Sequence, residues 1–377
     1  MPRHVVITGS GVIGLACARA LALAGARVTV IDGGSRGRDA SLAAAGILGA
    51  GSEHAVDSPL FRLSLDALHH WPETIAALGR ESRLPIDVRF EGTLLLAFDA
   101  AEAEALAARA DVHRAADLQS RWLTGTEARR IESVLSPRVV GALHIPEGRI
   151  DNRALHAAYA GACEALGVAL RSGSDATEIL EATGRVRGIR VGSETILADA
   201  VVVAAGAWSE ALARTTGLSL PSRPIKGQLV RIDAPDGHLS HVVKRGLVYA
   251  VPRTGEGLIL GTTSDDAGFD RSRSDVVTAA VLGTADELVP GLGSRRVIET
   301  WVGFRPRLED GLPAIGLVAS RPGLFVATGH YRNGILLSEI TGRLIARAVS
   351  GDVDPRLAPF SPDRFSDGTR VRSDPLA

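Results

Sequence analysis

Residues 5–32 constrain the fold more than any other stretch of this chain. An apolar run, Val5-Val6-Ile7-Thr8, leads into Gly9-Ser10-Gly11-Val12-Ile13-Gly14. A helix-forming stretch follows to Ala24, and a second apolar run, Val28-Thr29-Val30-Ile31, ends on Asp32. This is the strand–glycine turn–helix–strand–acid pattern of a parallel βαβ unit. Gly9 permits the tight turn, Gly11 lets a pyrophosphate approach the backbone, and Gly14 lets the helix pack on the strand. Val12 and Ile13 open the helix, whose free N–H groups and positive dipole end suit phosphate. Asp32 stands where a carboxylate accepts ribose hydroxyls, which disfavours a 2′-phosphate and therefore NADP. The unit predicts dinucleotide binding. By itself it does not separate NAD from FAD, and a Gly-rich turn without a ligand is the bland alternative.

At 377 residues the chain can bury a large core and hold two domains. With 42 basic and 43 acidic residues the net charge is −1, which gives no electrostatic reason to bind nucleic acid or a membrane surface. Cys17 and Cys163 lie in alanine-rich helical stretches, without C-x-x-C spacing or a histidine cluster. They read as buried core residues in a reducing compartment, and no metal site is expected. The chain enters a strand almost at once, so no signal peptide is expected and a cytoplasmic location follows by default. A homo-oligomer is compatible with the sequence but not specified by it.

Helix signals cover 60–80, 101–110, 124–132 and 151–166, the last opened by Asp151 as N-cap and stopped by Gly167. Strand signals follow at 168–171, 176–182, 186–191 and 195–197. The all-apolar run Ala200-Val201-Val202-Val203 then ends in Ala205-Gly206-Ala207-Trp208, as a buried parallel strand facing a ligand would. From 224 to 304 the pattern changes to alternating strands with one helix near 276–288, which indicates a mixed or antiparallel sheet. A strand at 324–328, a Gly-rich turn and a helix at 335–349 close the pattern. The implied class is α/β: a Rossmann-like nucleotide domain (1–84, 146–224 and 313–350) interleaved with an α+β substrate domain (85–145 and 225–312). A polar tail, 351–377, is expected to be partly disordered or draped on the surface.

Three segments narrow the function. Gly329-His330-Tyr331-Arg332-Asn333-Gly334-Ile335-Leu336 sits at a strand–helix junction, where glycines allow close backbone approach and a helix N-terminus can stabilise negative charge. Arg305 follows a buried strand and precedes Pro306, so its fork projects from a rigid rim, suited to a carboxylate; an internal salt bridge to Glu299 or Asp310 is the equal alternative. Tyr249 points opposite to Val248 and Ala250, and alone it reads as a core tyrosine.

Together these segments resemble the glycine oxidase group of the D-amino acid oxidase family of flavoproteins. The resemblance rests on the fingerprint with Asp32, on 39–49 (Asp-Ala-Ser-Leu-Ala-Ala-Ala-Gly-Ile-Leu-Gly), and on Val201–Trp208. It continues through Pro224–Gln228, Val248–Arg253, Gly303–Pro306 and Thr328–Leu337, so it spans nearly the whole chain in order. It implies noncovalent FAD and oxidative deamination of a small amino acid by O2, in a branch that feeds thiamine thiazole synthesis. Carried over by position, Arg305 binds the substrate carboxylate, Tyr249 hydrogen-bonds it and Arg332 helps close the site. Ala44, Ala45, Gly46, Ile47 and Leu48 line the flavin. Two departures bear on pocket size: Ser264 stands where the group often has a bulky residue, and Leu247 and Val248 stand beside Tyr249 where relatives can be polar.

No histidine or carboxylate in these segments is an obvious base, and direct hydride transfer from Cα of a neutral amine to flavin N5 needs none. The imine would hydrolyse and oxygen would give hydrogen peroxide. Three rivals stay open on the sequence. The first is a sarcosine or D-amino acid oxidase, or a quinone-linked D-amino acid dehydrogenase. The second is a non-catalytic FAD-binding protein, and the third an NAD-dependent dehydrogenase. Related sarcosine oxidases use a lysine near the flavin, and neither of the two lysines here, Lys226 and Lys244, has an obvious position there.

Overall fold

A computed structural model describes residues 3–34, 39–235 and 237–365. The opening unit forms strand His4–Thr8, helix Val12–Leu23 and strand Arg27–Asp32. It lies inside a six-stranded sheet ordered Ala314–Leu317, Leu324–Thr328, Ala200–Val203, His4–Thr8, Arg27–Asp32, Ala169–Ser172. Every neighbouring pair is parallel except the first. Both faces are covered, which is why these strands are apolar without alternation. Val5, Ile7 and Val202 pack into a core with helices Val12–Leu23, Asn152–Ala165 and Gly334–Val349. Val6, Val201 and Val203 face a second core shared with the antiparallel three-stranded sheet Ala176–Ala182, Arg185–Val191, Glu194–Leu197.

The second large sheet has eight strands, in the order Val297–Leu308, Ser222–Ile232, Gly257–Gly261, Val248–Arg253, Val242–Arg245, Thr93–Ala97, Gly141–Ile145, Arg121–Thr124. It is antiparallel apart from the pairing of Val242–Arg245 with Thr93–Ala97. Leu94, Val230, Ala250 and Leu260 on one face pack against Val281, Ala285 and Leu288 of helix Asp275–Leu288. Strands of the two sheets alternate along the sequence, so neither sheet is made from one continuous piece of chain.

Several short strands carry no sequence signal: Arg121–Thr124, Gly141–Ile145, Gly148–Ile150, Val242–Arg245 and Ala314–Leu317. Each is five residues or fewer and takes its partner from a neighbouring strand rather than from its own pattern. As far as residue 365 the tail lies ordered against the rest of the fold. Two 3-10 turns, Pro355–Phe360 and Pro362–Phe365, bury Leu357 and Phe360, and Arg364 pairs with Asp310 at 2.7 Å. Residues 366–377 and the loop positions 35–38 lie outside the described residues. Among the described residues no helix is long and apolar enough to cross a membrane.

Candidate active site

One long cleft runs between the carboxyl ends of the parallel strands and the face of the eight-stranded sheet. At one end lies the glycine turn. Gly9 has φ +100° and donates to the Ile31 carbonyl at 2.8 Å; a Cβ there would stand 2.4 Å from the Ala204 oxygen. The Asp32 carboxylate accepts from the Ser10 N–H at 2.7 Å and the Gly34 N–H at 2.8 Å, which holds the acid at the mouth of the turn. Ser41 Oγ accepts from Val12 N–H at 3.0 Å.

Most long helices here carry a side-chain N-cap: Ser58, Asp99, Asp151 and Ser274 each accept a backbone N–H. The two helices that start at the cleft, Val12–Leu23 and Gly334–Val349, have none from their N-cap residues Gly11 and Asn333. Apart from Val12 N–H, which Ser41 Oγ accepts, the leading N–H groups at these two starts have no cap from their own N-cap residue, as a phosphate and an electron-rich ring require.

The segment between these helix starts, Ala43–Ile47, is held from behind. Trp301 Nε1 donates to the Ala43 carbonyl at 3.0 Å, Arg253 Nη2 donates to the Ala45 carbonyl at 2.7 Å, and Ile150 N–H donates to the Gly46 carbonyl at 2.8 Å. Arg253 also donates to the Ile150 carbonyl and, at 2.7 Å, to Asn152 Oδ1. Burial pushes its guanidinium down to about 10. All three acceptors are neutral, so its task is to fix carbonyls in place.

The other end of the cleft gathers Tyr249, Arg305, Arg332 and Glu53. Arg305 projects from strand Val297–Leu308 and lies flat across Gly227, where a Cβ would meet the guanidinium at 2.3 Å. Tyr249 similarly occupies the space a side chain at Gly261 would need. Arg305 donates to the Thr263 carbonyl at 3.1 Å and to Thr262 Oγ1 at 2.6 Å. Among the described residues it makes no ion pair: Glu299 pairs with Arg153 and Arg231, and Asp310 with Arg364, so the expected alternative salt bridge is absent. Burial lowers the Arg305 pKa and raises that of the Tyr249 phenol.

Glu53 organises the remaining charge. It accepts from Arg332 Nε at 2.6 Å and Nη2 at 3.2 Å, and from Lys244 Nζ. Burial alone would raise the Glu53 pKa; Lys244 and Arg332 more than offset this and hold it well below the usual carboxylate range. Arg332 Nη1 is buried and has no partner among the described residues. At the rim, Ser264 Oγ meets the Tyr331 hydroxyl at 3.0 Å, and Trp208 stacks on Phe269 with ring centroids 4.9 Å apart.

Of the residues singled out in the sequence, the cleft is lined by Gly9, Gly11, Val12, Ile13, Asp32, Ala44, Ala45, Gly46, Ile47, Ala205, Gly206, Trp208, Tyr249 and Arg305. It is also lined by His330, Tyr331, Arg332, Asn333, Gly334 and Ile335. Four stand back from it. Gly14 packs against the Gly9 carbonyl and Gly329 against Leu308. Leu48 and Leu336 are core residues, the latter accepting from Trp71 Nε1 at 3.0 Å. The expected influence of Leu247 and Val248 on the pocket is also corrected: Leu247 is half exposed on a turn and Val248 packs on the opposite core. Lys244, directly across from Tyr249 in the ladder, is the side chain that reaches Glu53. Sequence reasoning missed Glu53, Lys244, Arg253 and Trp301. The one signal available was that Lys244 is a rare lysine bordering an apolar strand. Cys17 and Cys163 are buried in the helical core, away from the cleft.

A family model described as DAO, FAD dependent oxidoreductase, matches residues 4–348. The chain is 39% identical to the glycine oxidase of Geobacillus kaustophilus over 363 residues, 95% of this chain and 96% of that protein. It is 34% identical over 375 residues to the bifunctional protein ThiO/ThiG of Trichormus variabilis, covering 97% of this chain and 55% of that protein. A crystal structure of glycine oxidase from Geobacillus kaustophilus matches with a TM-score of 0.92 at 37% identity, over 96% of this chain and 99% of that one. The glycine turn, the acid at Asp32 and the two open helix starts fit FAD laid along the cleft. The chain belongs to the DAO family of FAD-dependent oxidoreductases, and FAD is its cofactor.

Proposed function

We propose that this FAD-dependent amino acid oxidase acts on glycine or a comparably small amino acid in the cytoplasm. Glycine, O2 and water would give glyoxylate, ammonia and hydrogen peroxide. The observation that carries the proposal is the half-buried Arg305 guanidinium, without an ion pair among the described residues, beside Tyr249 in the cleft that begins at the glycine turn. Similarity to two glycine oxidases and to ThiO/ThiG proteins supports the substrate and a role in thiamine thiazole synthesis. On this reading 1–84, 146–224 and 313–350 hold the cofactor, while 85–145 and 225–312 supply most of the substrate contacts.

The fork of Arg305 takes both carboxylate oxygens, and the Tyr249 hydroxyl donates to one of them. Arg332 closes the third side through Nη1. These contacts fix where Cα stands, which is the main catalytic task the protein has. Bound FAD supplies the two-electron acceptor. The start of helix Gly334–Val349 places fixed positive dipole where negative charge accumulates, without reorganisation. Among the described residues, none at this end is free to act as a base. Glu53 is engaged by Arg332 and Lys244, and His330, pushed down to about 3 by burial, faces Thr341 Oγ1 at 3.0 Å. The nitrogen lone pair of the substrate must therefore be available before the Cα–H bond breaks.

Anaerobic titration of the yellow protein with glycine, sarcosine, D-alanine and D-proline tests the assignment. Glycine is expected to bleach the flavin, and readmitted air to restore it with release of peroxide. A colourless protein, or a flavin that none of these amines bleaches, would overturn the proposal.

A further inference from the structure

A free amino acid near neutral pH is an ammonium zwitterion, and an ammonium has no lone pair to assist loss of hydride from Cα. A base is one remedy, but the substrate end of the cleft offers none. The alternative is a field that makes the ammonium unfavourable once the carboxylate is bound.

The charges at this end are unbalanced. Arg305, Arg332 and Lys244 are cations, and among the described residues Glu53 is the single acid that touches them. Tyr249, whose pKa burial raises, stays neutral, and burial lowers the pKa of His54 from the segment that carries Glu53. Behind that segment, helix Ala100–Ala115 contributes Arg109, faced by Glu147, and His113, pushed down to about 4 by burial. From the final junction come Tyr331 and the neutral His330. The cluster thus carries two charges more than its one acid neutralises, and a bound carboxylate removes only one of them.

Lys244 is the cation with no other use. It is buried, directly across the ladder from Tyr249, and its ammonium meets the Glu53 oxygen that Arg332 Nη2 also contacts. Arg332 already satisfies Glu53 through two hydrogen bonds, so orienting Arg332 does not require a lysine. Resting on the reading that the site takes an amino acid, we propose that Lys244 supplies the excess positive charge that drives the bound substrate's ammonium to release its proton to solvent. Lys244 does not touch the substrate; it is a positioning residue acting on charge.

The test is the pH dependence of anaerobic flavin reduction at limiting glycine. Removing the Lys244 charge moves the acid limb upward by about one pH unit in Lys244→Met. Glu53→Gln moves it downward, and Lys244→Arg leaves it in place. The double variant Glu53→Gln/Lys244→Met, which removes one cation and one anion together and so leaves the net charge of the cluster unchanged, returns the limb to the wild-type position. A purely structural role would lower the rate in both single variants without opposite shifts. An unmoved limb in Lys244→Met, or shifts of the same sign in both single variants, overturns the role of Lys244. A wild-type flavin that glycine and the other amines leave oxidised overturns the amino acid reading itself, and this role with it.

Discussion

Arg305 is the residue on which substrate recognition turns. Its guanidinium is half-buried, rests across Gly227, and donates to a carbonyl and a hydroxyl, neither of which is charged. A carboxylate ligand would complete a desolvated, bidentate pair. Removing one partner of such a pair costs roughly 2–5 kcal/mol, so Arg305→Ala should weaken glycine binding about 30-fold to several thousand-fold. Flavin content should stay at one per chain, because Arg305 holds none of the cofactor cradle. Stopped-flow reduction against glycine concentration checks this, and unchanged saturation would remove Arg305 from the carboxylate site. Tyr249→Phe, which keeps the ring and deletes one neutral hydrogen bond, should cost about 1 kcal/mol, or some fivefold in affinity, by the same measurement.

At the scale of elements, what could be read from sequence was whatever is local. The strand–turn–helix–acid unit, helix Asn152–Ala165 with its Asp151 cap, and the buried strand Ala200–Val203 are specified by neighbours in the chain. Arg305 and Tyr249 could be marked for the same reason, each sitting in a segment with a recognisable pattern. Glu53, Lys244, Arg253 and Trp301 could not. Glu53 belongs to the site because Arg332 and Lys244 reach it, and Arg253 because the Ala45 carbonyl lies before it. These are long-range pairings that no periodicity records.

The packing of helix Val12–Leu23 on helix Gly334–Val349 is of that kind too. A Cβ on Gly342 would stand 2.5 Å from the Ala16 carbonyl oxygen. Gly342→Ala gains helix propensity of about 1 kcal/mol but must force two backbones apart, at roughly 1–3 kcal/mol. A lower melting temperature is expected, together with weaker FAD retention, since both helices open onto the cofactor cleft. An alanine variant that melts no lower than the parent protein, with its flavin intact, would show that the two helices yield at no cost.

Buried titratable groups give the stability of the whole molecule a pH dependence of definite sign. His330 is buried at the junction between strand Leu324–Thr328 and helix Gly334–Val349, and burial pushes it down to about 3 from 6.5. His113, buried against Ser120 Oγ, is pushed down to about 4. In both cases the unfolded chain takes up a proton below pH 6.5 that the native state refuses. Stability is therefore fully present above that pH and falls as pH drops toward the native values, after which these two groups contribute no further loss. Linkage puts the loss between pH 7 and pH 5 at roughly 2 kcal/mol for each histidine. Glu53, depressed by its two cations, adds a loss only below the ordinary glutamate range, where its unfolded form begins to protonate. Denaturant midpoints in excess FAD at pH 7 and pH 5 separate these contributions. His330→Asn should lose about 2 kcal/mol less than the parent protein over that interval, whatever its stability at pH 7. If the two proteins lose the same amount, His330 is protonated in the native state and the junction that carries Arg332 is more open to water than its burial implies.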